Sequence, residues 1–217
     1  MHTFGWLFVF GLTASTSSVI NFDHAALGKT PSEWTILATD RGVNAHWEIR
    51  RDPSAPTQPY VFAQVSGDPR QDGFSLAILN TMSLRDGDIS VRLKPVSGRE
   101  EQGGGLVFRY RDEKNFYVVR ADAHDDEVAV YKVENGRPIP IRPRGAPASV
   151  TGVKHDLRPN VWSILKVSVR GGRFQVYVNH HRILQAEDST SSVAGKVGLA
   201  TRADSVTYFD DFRVSAK

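Results

Sequence analysis

Short runs in which apolar and polar residues alternate follow one another along the chain after residue 20. Gly, Pro, Asn and Asp separate these runs, and no long stretch shows the 3.6-residue period of an amphipathic helix. Because side chains of a strand point alternately to its two faces, the pattern predicts antiparallel strands that each bury one face. We therefore expect an all-β protein in which two antiparallel sheets form a jelly-roll sandwich.

The clearest alternating runs predict ten strands, and a further strand is expected around Trp47. The ten span Tyr60–Val65, Phe74–Leu79, Asp88–Leu93, Gly105–Tyr110, Phe116–Ala121, Glu127–Val133, Trp162–Val169, Phe174–Val178, Val197–Thr201 and Ser205–Val214. Turn residues at 111–115, 134–136, 170–172 and 178–181 should join sequence neighbours into antiparallel hairpins. The proline-rich stretch 137–160 should be an irregular excursion or an edge strand, because proline cannot donate to a central ladder.

Composition narrows the choice of protein class. The chain has 217 residues, 40% of them hydrophobic, which suits one globular domain with a full core. Lys and Arg number 27 against 24 acidic residues, and this small, scattered net charge of +3 does not indicate a nucleic-acid partner. The chain has no cysteine, which excludes disulfides, thiolate metal sites and cysteine nucleophiles.

The N-terminal segment is apolar from Phe4 to Leu12 and then turns to small residues. This order is typical of a secretory signal, and we expect a signal peptide over residues 1–18, a mature domain over residues 19–217, and an exported (periplasmic or extracellular) protein. The run is far shorter than the roughly 20 apolar residues of a membrane span. It also lacks a preceding Lys or Arg, so a buried N-terminal strand and an incorrectly assigned start codon remain alternatives.

Five short motifs carry a family resemblance that covers roughly residues 20 to 215. They are Phe22-Asp23, residues 28–34 (GKTPSEW), residues 104–110 (GGLVFRY), residues 115–117 (NFY) and residues 209–212 (FDDF). Together they resemble the 3-keto-disaccharide hydrolase domain, formerly a domain of unknown function. That family is similar to family-sixteen glycoside hydrolases and to laminin G modules. The resemblance implies a concanavalin A-like jelly roll and a saccharide or glycoside as ligand.

Two of these motifs also have a structural explanation. Phe209 and Phe212 are three positions apart, so strict alternation would put them on opposite faces unless a β-bulge intervenes and turns Asp210 and Asp211 outward. The glycines at 104 and 105 allow a close approach of two backbones where a strand begins.

The resemblance implies that a ligand lies on the concave face of one curved sheet. Alternation in residues 105–110 puts Leu106, Phe108 and Tyr110 in the core row and leaves Arg109 on the other face, with Tyr117 or Arg120 as its companion. Aromatic rings and charged groups suit sugars, although buried Trp and Tyr and surface Arg are also usual in sandwiches. The predicted substrate-binding residues are His46, Trp47, Arg92, Arg109, Tyr117, Arg120 and Tyr131, with Trp34 and Asp122 as further candidates.

Glycoside hydrolysis usually needs two carboxyl groups about 5 to 9.5 Å apart. The Glu-x-Asp-x-Glu motif of retaining family-sixteen enzymes is absent. The densest acidic stretch is 122–127, where Asp122, His124 and Asp126 have the spacing to act as acid, base or hard-cation ligands. A solvated hairpin turn explains the same residues, so the sequence leaves enzyme activity undecided.

A structural calcium ion is the cofactor that the fold suggests. If the first and last strands pair, Asp23 approaches Asp210 and Asp211, and backbone carbonyls complete an oxygen shell. Otherwise these carboxylates cap turns or pair with Arg202 or Arg213.

The sequence therefore predicts an exported carbohydrate-active domain, and the resemblance implies that it hydrolyses or lyses a glycoside of the 3-keto-disaccharide type. The alternatives are a non-catalytic carbohydrate-binding or laminin G-like adhesion module, and a purely structural envelope protein. The sugar, its linkage and the oligomeric state remain open.

Overall fold

The computed structural model describes residues 17–40, 45–67 and 73–217. Within these ranges the chain forms β-strands and no α-helix, and hence no helix that is long and apolar enough to cross a membrane. The strands are β1 (Ser17–Ile20), β2 (Trp34–Ala38), β3 (Trp47–Arg51), β4 (Tyr60–Gln64), β5 (Phe74–Leu84), β6 (Gly87–Ser97), β7 (Gly103–Asp112), β8 (Asn115–Asp122), β9 (Glu127–Glu134), β10 (Arg137–Pro140), β11 (Gly152–Lys154), β12 (Ser163–Arg170), β13 (Arg173–Val178), β14 (His181–Glu187), β15 (Gly195–Arg202) and β16 (Val206–Ala216).

The strands form two antiparallel sheets, which confirms the predicted fold class. Sheet A has the order β14-β13-β12-β6-β16-β4-β3, with β1 also paired to β16. Sheet B has the order β10-β9-β8-β7-β15-β5-β2, with β11 also paired to β9. Sequence neighbours pair as hairpins in β7 to β10 and in β12 to β14, whereas the connections β5 to β6 and β15 to β16 cross between the sheets.

Each of the ten predicted strands overlaps one observed strand, and β3 is the strand expected around Trp47. The proline-rich stretch supplies β10, which lies at the edge of sheet B as proline requires. The short strands β1, β2 and β11 and the edge strand β14 went unpredicted because their runs are brief or weakly alternating. The predicted signal peptide falls mainly on residues 1–16, outside the described residues, and its proposed end at residue 18 lies within β1.

The core between the sheets is centred on packed aromatic rings. Trp47 stacks on Phe209 with a centroid distance of 5.4 Å, and Phe62 lies 5.2 Å from Trp47. Phe212 contacts Trp34 edge-on at 5.4 Å. Both Phe209 and Phe212 are therefore inside, as the predicted bulge requires.

The bulge itself lies in β16, where the pairing register with β6 shifts between Asp210 and Arg213. Asp211 has a φ of 51°, in the left-handed region that a residue other than glycine seldom adopts. The bulge prediction is confirmed, and both aspartates face away from the core. They are nevertheless buried, because the loop at Thr57 covers Asp210 and two arginines hold Asp211.

A close approach at Gly104 lets the two sheets pack at their centre. A Cβ atom on Gly104 would lie 2.7 Å from the ring of Phe209, so only glycine fits there. A Cβ on Gly105 would lie 2.2 Å from the carbonyl oxygen of Val119, so the expected close approach of two backbones occurs at Gly105, whereas Gly104 approaches a ring.

Replacement of Phe209 by alanine tests the centre of this core. Phe209→Ala should lower the free energy of unfolding by about 3–5 kcal/mol, because it removes a fully buried ring and leaves a cavity. Urea denaturation measures the loss, with Leu27→Ala as the control because Leu27 is 57% exposed. An equal effect of both substitutions would contradict the assigned core.

Candidate functional site

Side chains of strand β8 alternate between the two faces of sheet B, as the strand period of two requires. Tyr117, Val119 and Ala121 lie in the core between the sheets, whereas Phe116 and Val118 belong to an apolar cluster on the outer face of sheet B. Arg120 follows the same alternation and lies on that outer face. The outer face is thus apolar around Phe116 and charged near the end of β8.

The alternation predicted for β7 is wrong at Arg109. Arg109 has a φ of 50°, and the pairing register between β7 and β8 is interrupted there. As a result Tyr110 joins the apolar cluster on the outer face, and Arg109 turns toward Phe174 of the core. Its guanidinium is buried and donates to the carbonyl oxygens of Arg85, Gly171 and Ser191. Arg109 therefore ties loops together and has no donor directed to the outer face.

Four other predicted ligand-binding residues lie away from Arg120. Trp47 is in the core with its Nε1 donating to Ser75, and Tyr117 is stacked on Phe108 with its hydroxyl donating to Asp188. His46 precedes the edge strand β3 of sheet A, and Arg92 lies on the outer face of sheet A. Trp34, the further aromatic candidate, is also in the core.

A charged cluster does form at the end of β8, and we call it the Arg120 cluster. It consists of Glu101, Arg120, Tyr131 and Arg202. Glu101 forms ion pairs with Arg120 and with Arg202, the latter at 2.5 Å from Nη1 to Oε1. The guanidinium carbon of Arg120 lies 5.9 Å from the centroid of the Tyr131 ring, within range of a cation–π contact.

The cluster is buried, and some of its donors are unused. Arg120 is 8% exposed and Glu101 7% exposed. In the part of the chain that the structure describes, Nε of Arg120 has no hydrogen-bond partner. Its Nη1 forms an ion pair with Glu101 but is not aligned with it for a hydrogen bond. Burial alone would lower the pKa of Arg120, but the charge of Glu101 outweighs it and the pKa is raised. Arg120 therefore stays a cation with free donor capacity.

The three predicted catalytic residues do not converge. Asp122 is fully buried, and its carboxylate accepts hydrogen bonds from the backbone N–H groups of Gln102, His124 and Asp125. His124 and Asp126 are exposed in the turn that follows. This geometry matches the alternative explanation of residues 122–127, a hairpin turn. Asp122 caps that turn.

The pairing of β1 with β16 occurs as expected for the calcium hypothesis, but the carboxylates have other partners. Asp23 accepts from the backbone of Tyr60, Asp210 from Thr57, and Asp211 pairs with Arg92 and Arg213. Among the residues that the structure describes, no group of three or more His, Cys, Asp or Glu side chains could hold a metal ion. Calcium binding stays a prediction, and the pairing of Asp211 with Arg213 matches the alternative.

The sequence analysis named Arg120 and Tyr131 as candidate binding residues but not Glu101. It considered Arg202 only as a partner for the aspartates of the calcium hypothesis. Glu101 lies in the Arg-Glu-Glu-Gln sequence just before the glycine run, where it looks like a solvated charge. One sequence signal could have indicated that Glu101 is buried: it stands two residues before the glycine run, where two backbones approach closely. The pairing with Arg120 depends on tertiary structure.

The fold is that of a two-sheet antiparallel sandwich shared with several solved domains. The carbohydrate binding module CBM66 from Bacillus subtilis is 24% identical with a TM-score of 0.62, over 83% of this chain and 94% of that chain. Domain 4 of AbnA, an extracellular GH43 arabinanase from Geobacillus stearothermophilus solved in complex with arabinotriose, is 12% identical with a TM-score of 0.55, over 93% and 92%. At these identities the likeness shows the fold alone.

A curated relative is the levanase of Bacillus subtilis strain 168, which is 32% identical over 131 residues. These residues are 60% of this chain but span only 18% of the levanase. No family model matches the chain, so the resemblance to 3-keto-disaccharide hydrolases is not confirmed.

Acidification tests Asp88, a partly buried carboxylate on the outer face of sheet A. Burial alone would raise the pKa of Asp88, but hydrogen bonds from Lys166, Ser168 and Arg170 outweigh it and the pKa is lowered. A lowered pKa means that the native state binds fewer protons than the unfolded chain. The stability that Asp88 contributes is therefore present above the unfolded pKa of about 3.9 and is lost as pH falls through the lowered value.

We expect Asp88→Asn to flatten the loss of unfolding free energy in acid. Urea titrations at several values between about pH 7 and about pH 2.5 measure the two profiles. Asp210 should act in the opposite direction, because burial raises its pKa. Parallel profiles of the variant and the unaltered protein would contradict the assignment.

Proposed function

We propose that the chain is a non-catalytic carbohydrate-binding domain that holds a saccharide at the Arg120 cluster. The observation that carries the proposal is the buried, unpaired Nε of Arg120 beside Glu101. A buried donor without an acceptor costs about 1–3 kcal/mol, and a sugar hydroxyl can supply that acceptor. Glu101 can accept a hydrogen bond from a neighbouring hydroxyl in the same ligand.

The surroundings of the cluster also suit a sugar. Tyr131 lies beside Arg120 on the outer face and is partly exposed, so its ring can cover an apolar C–H face of a sugar. Charged donors and acceptors form stronger hydrogen bonds to hydroxyl groups than neutral ones. A saccharide, with hydroxyls around an apolar ring face, matches this combination.

The carboxylates favour binding over hydrolysis. A hydrolase needs one carboxyl group that donates a proton and a second that attacks or activates water. Asp122 accepts three backbone N–H groups, and Glu101 forms ion pairs with two guanidinium groups, so both carboxylates already have partners. Hydrolysis of a glycoside of the 3-keto-disaccharide type is thus the weaker candidate.

The similar proteins support a carbohydrate as the class of ligand. One solved domain of this fold is a carbohydrate binding module, a second was solved with arabinotriose, and the partial relative is a levanase. We carry from them only the class of ligand. We also propose export, from the apolar segment Phe4 to Leu12 of the sequence.

Calorimetry with a panel of saccharides tests the proposal. The purified chain should bind levan, arabinan or arabinotriose saturably and without product release, and it should release no sugar from 3-keto-glucosides. Each titration is repeated with calcium and with a chelator, which tests the calcium prediction at the same time.

Arg120→Lys localises the site. Lysine keeps the charge but loses the planar fork of donors, so we expect affinity to fall about tenfold, or ~1.4 kcal/mol. Arg92→Lys is the matched control, because Arg92 also pairs with a carboxylate, that of Asp211, but lies on sheet A. Product release, or binding that both variants retain equally, would contradict the proposal.

A further inference from the structure

Glu101 lies on a connection without regular structure, between the end of β6 at Ser97 and the start of β7 at Gly103. A side chain on such a connection keeps a fixed position only if its backbone is held by other elements. The connection is tight, since a Cβ on Gly98 would collide with the carbonyl oxygen of Glu101. The position of Glu101 therefore depends on the contacts that its backbone makes.

Asp204 provides three of these contacts. Its carboxylate accepts hydrogen bonds from the backbone N–H groups of Arg99 at 2.7 Å, Glu100 at 3.1 Å and Glu101 at 3.2 Å. Asp204 is buried and lies in the turn between β15 and β16. A single side chain thus gathers three consecutive amides of the Glu101 connection.

Three further contacts fix the end of the same connection. Asp122 accepts from the backbone N–H of Gln102, and the hydroxyl of Ser205 accepts from that of Gly103. Thr207 donates its hydroxyl to the carbonyl oxygen of Gly103. These groups anchor residues 102 and 103, whereas Asp204 anchors Glu101 and the two residues before it.

We propose that Asp204 is a positioning residue of the saccharide site, because it holds the backbone of residues 99–101 so that Glu101 lies between Arg120 and Arg202. The inference rests on the proposed function, since it assigns a binding role to Glu101. Arg202 is two positions before Asp204 in the chain, so one turn sets both the loop of Glu101 and one of its two partners. A site held in this way loses little freedom when the ligand binds.

The negative charge of Asp204 matters for this role. Burial alone would raise its pKa, but the backbone donors of Arg99, Glu101 and Glu100 outweigh burial and the pKa is lowered. An asparagine of the same shape has one acceptor oxygen in place of two and presents an NH₂ group to backbone donors. Asp204→Asn should therefore release part of the connection without changing the volume of the side chain.

The test compares Asp204→Asn with Asp88→Asn in the full chain. Both substitutions remove the charge of a hydrogen-bonded aspartate, but Asp88 lies on sheet A with Lys166 and Arg170 as partners. Amide hydrogen exchange by NMR reports on residues 99–101, and calorimetry with levan and arabinotriose reports on affinity. We expect faster exchange at residues 99–101 and about tenfold weaker binding in Asp204→Asn, and neither change in Asp88→Asn.

Each other result has a defined meaning. Unchanged exchange at residues 99–101, or faster exchange with unchanged affinity, would overturn the positioning role. If the unaltered chain binds neither probe, the proposed function fails, and the exchange data alone decide whether Asp204 holds the Glu101 connection. If Asp204→Asn does not fold, Asp204→Glu replaces it: the retained but displaced carboxylate should weaken binding, and full affinity would overturn the inference.

Discussion

Strand β16 directs Phe209 and Phe212 into the same core although they lie three positions apart. The left-handed conformation of Asp211 makes this possible, since it inserts an extra residue that β6 does not match. Phe209 then reaches Trp47 and the backbone at Gly104, and Phe212 reaches Trp34. Without the bulge one of the two rings would leave the core, so the packing of the two sheets at their centre depends on it.

The same strand connects the core to the candidate site. Its first residues follow the turn that carries Asp204, and Thr207 binds the carbonyl of Gly103 where β7 begins. Gly104 must lack a side chain for Phe209 and Thr207 to fit, and a Cβ on Gly103 would lie 2.2 Å from the carbonyl oxygen of Ala121 on β8. The close packing that stabilises the fold therefore also fixes the start of β7, directly after Glu101. The same backbone contacts therefore stabilise the fold and help to position the proposed binding site.

The fold was predictable from sequence because strand alternation and turn residues are local signals, and each of the ten predicted strands has an observed counterpart. The site was predictable only in part. Arg120 was a candidate from strand alternation and Tyr131 from its aromatic ring. Arg109 was assigned to the wrong face because no sequence pattern in this strand marks its positive φ. Glu101 was missed because its partners are 19 and 101 positions away, and no local pattern encodes such pairings.

Electrostatics gives a physical reason to regard the Arg120 cluster as a binding site. Arg120 and Glu101 are both buried, and buried charges seldom stabilise a fold as well as apolar side chains of similar volume. Apolar residues occupy the neighbouring positions of β8 on the same face, Phe116 and Val118. A purely structural sheet would continue that pattern at Arg120. A ligand whose hydroxyl groups meet the unused donors of Arg120 recovers the free energy that burying this cation costs, and this recovery favours the bound state.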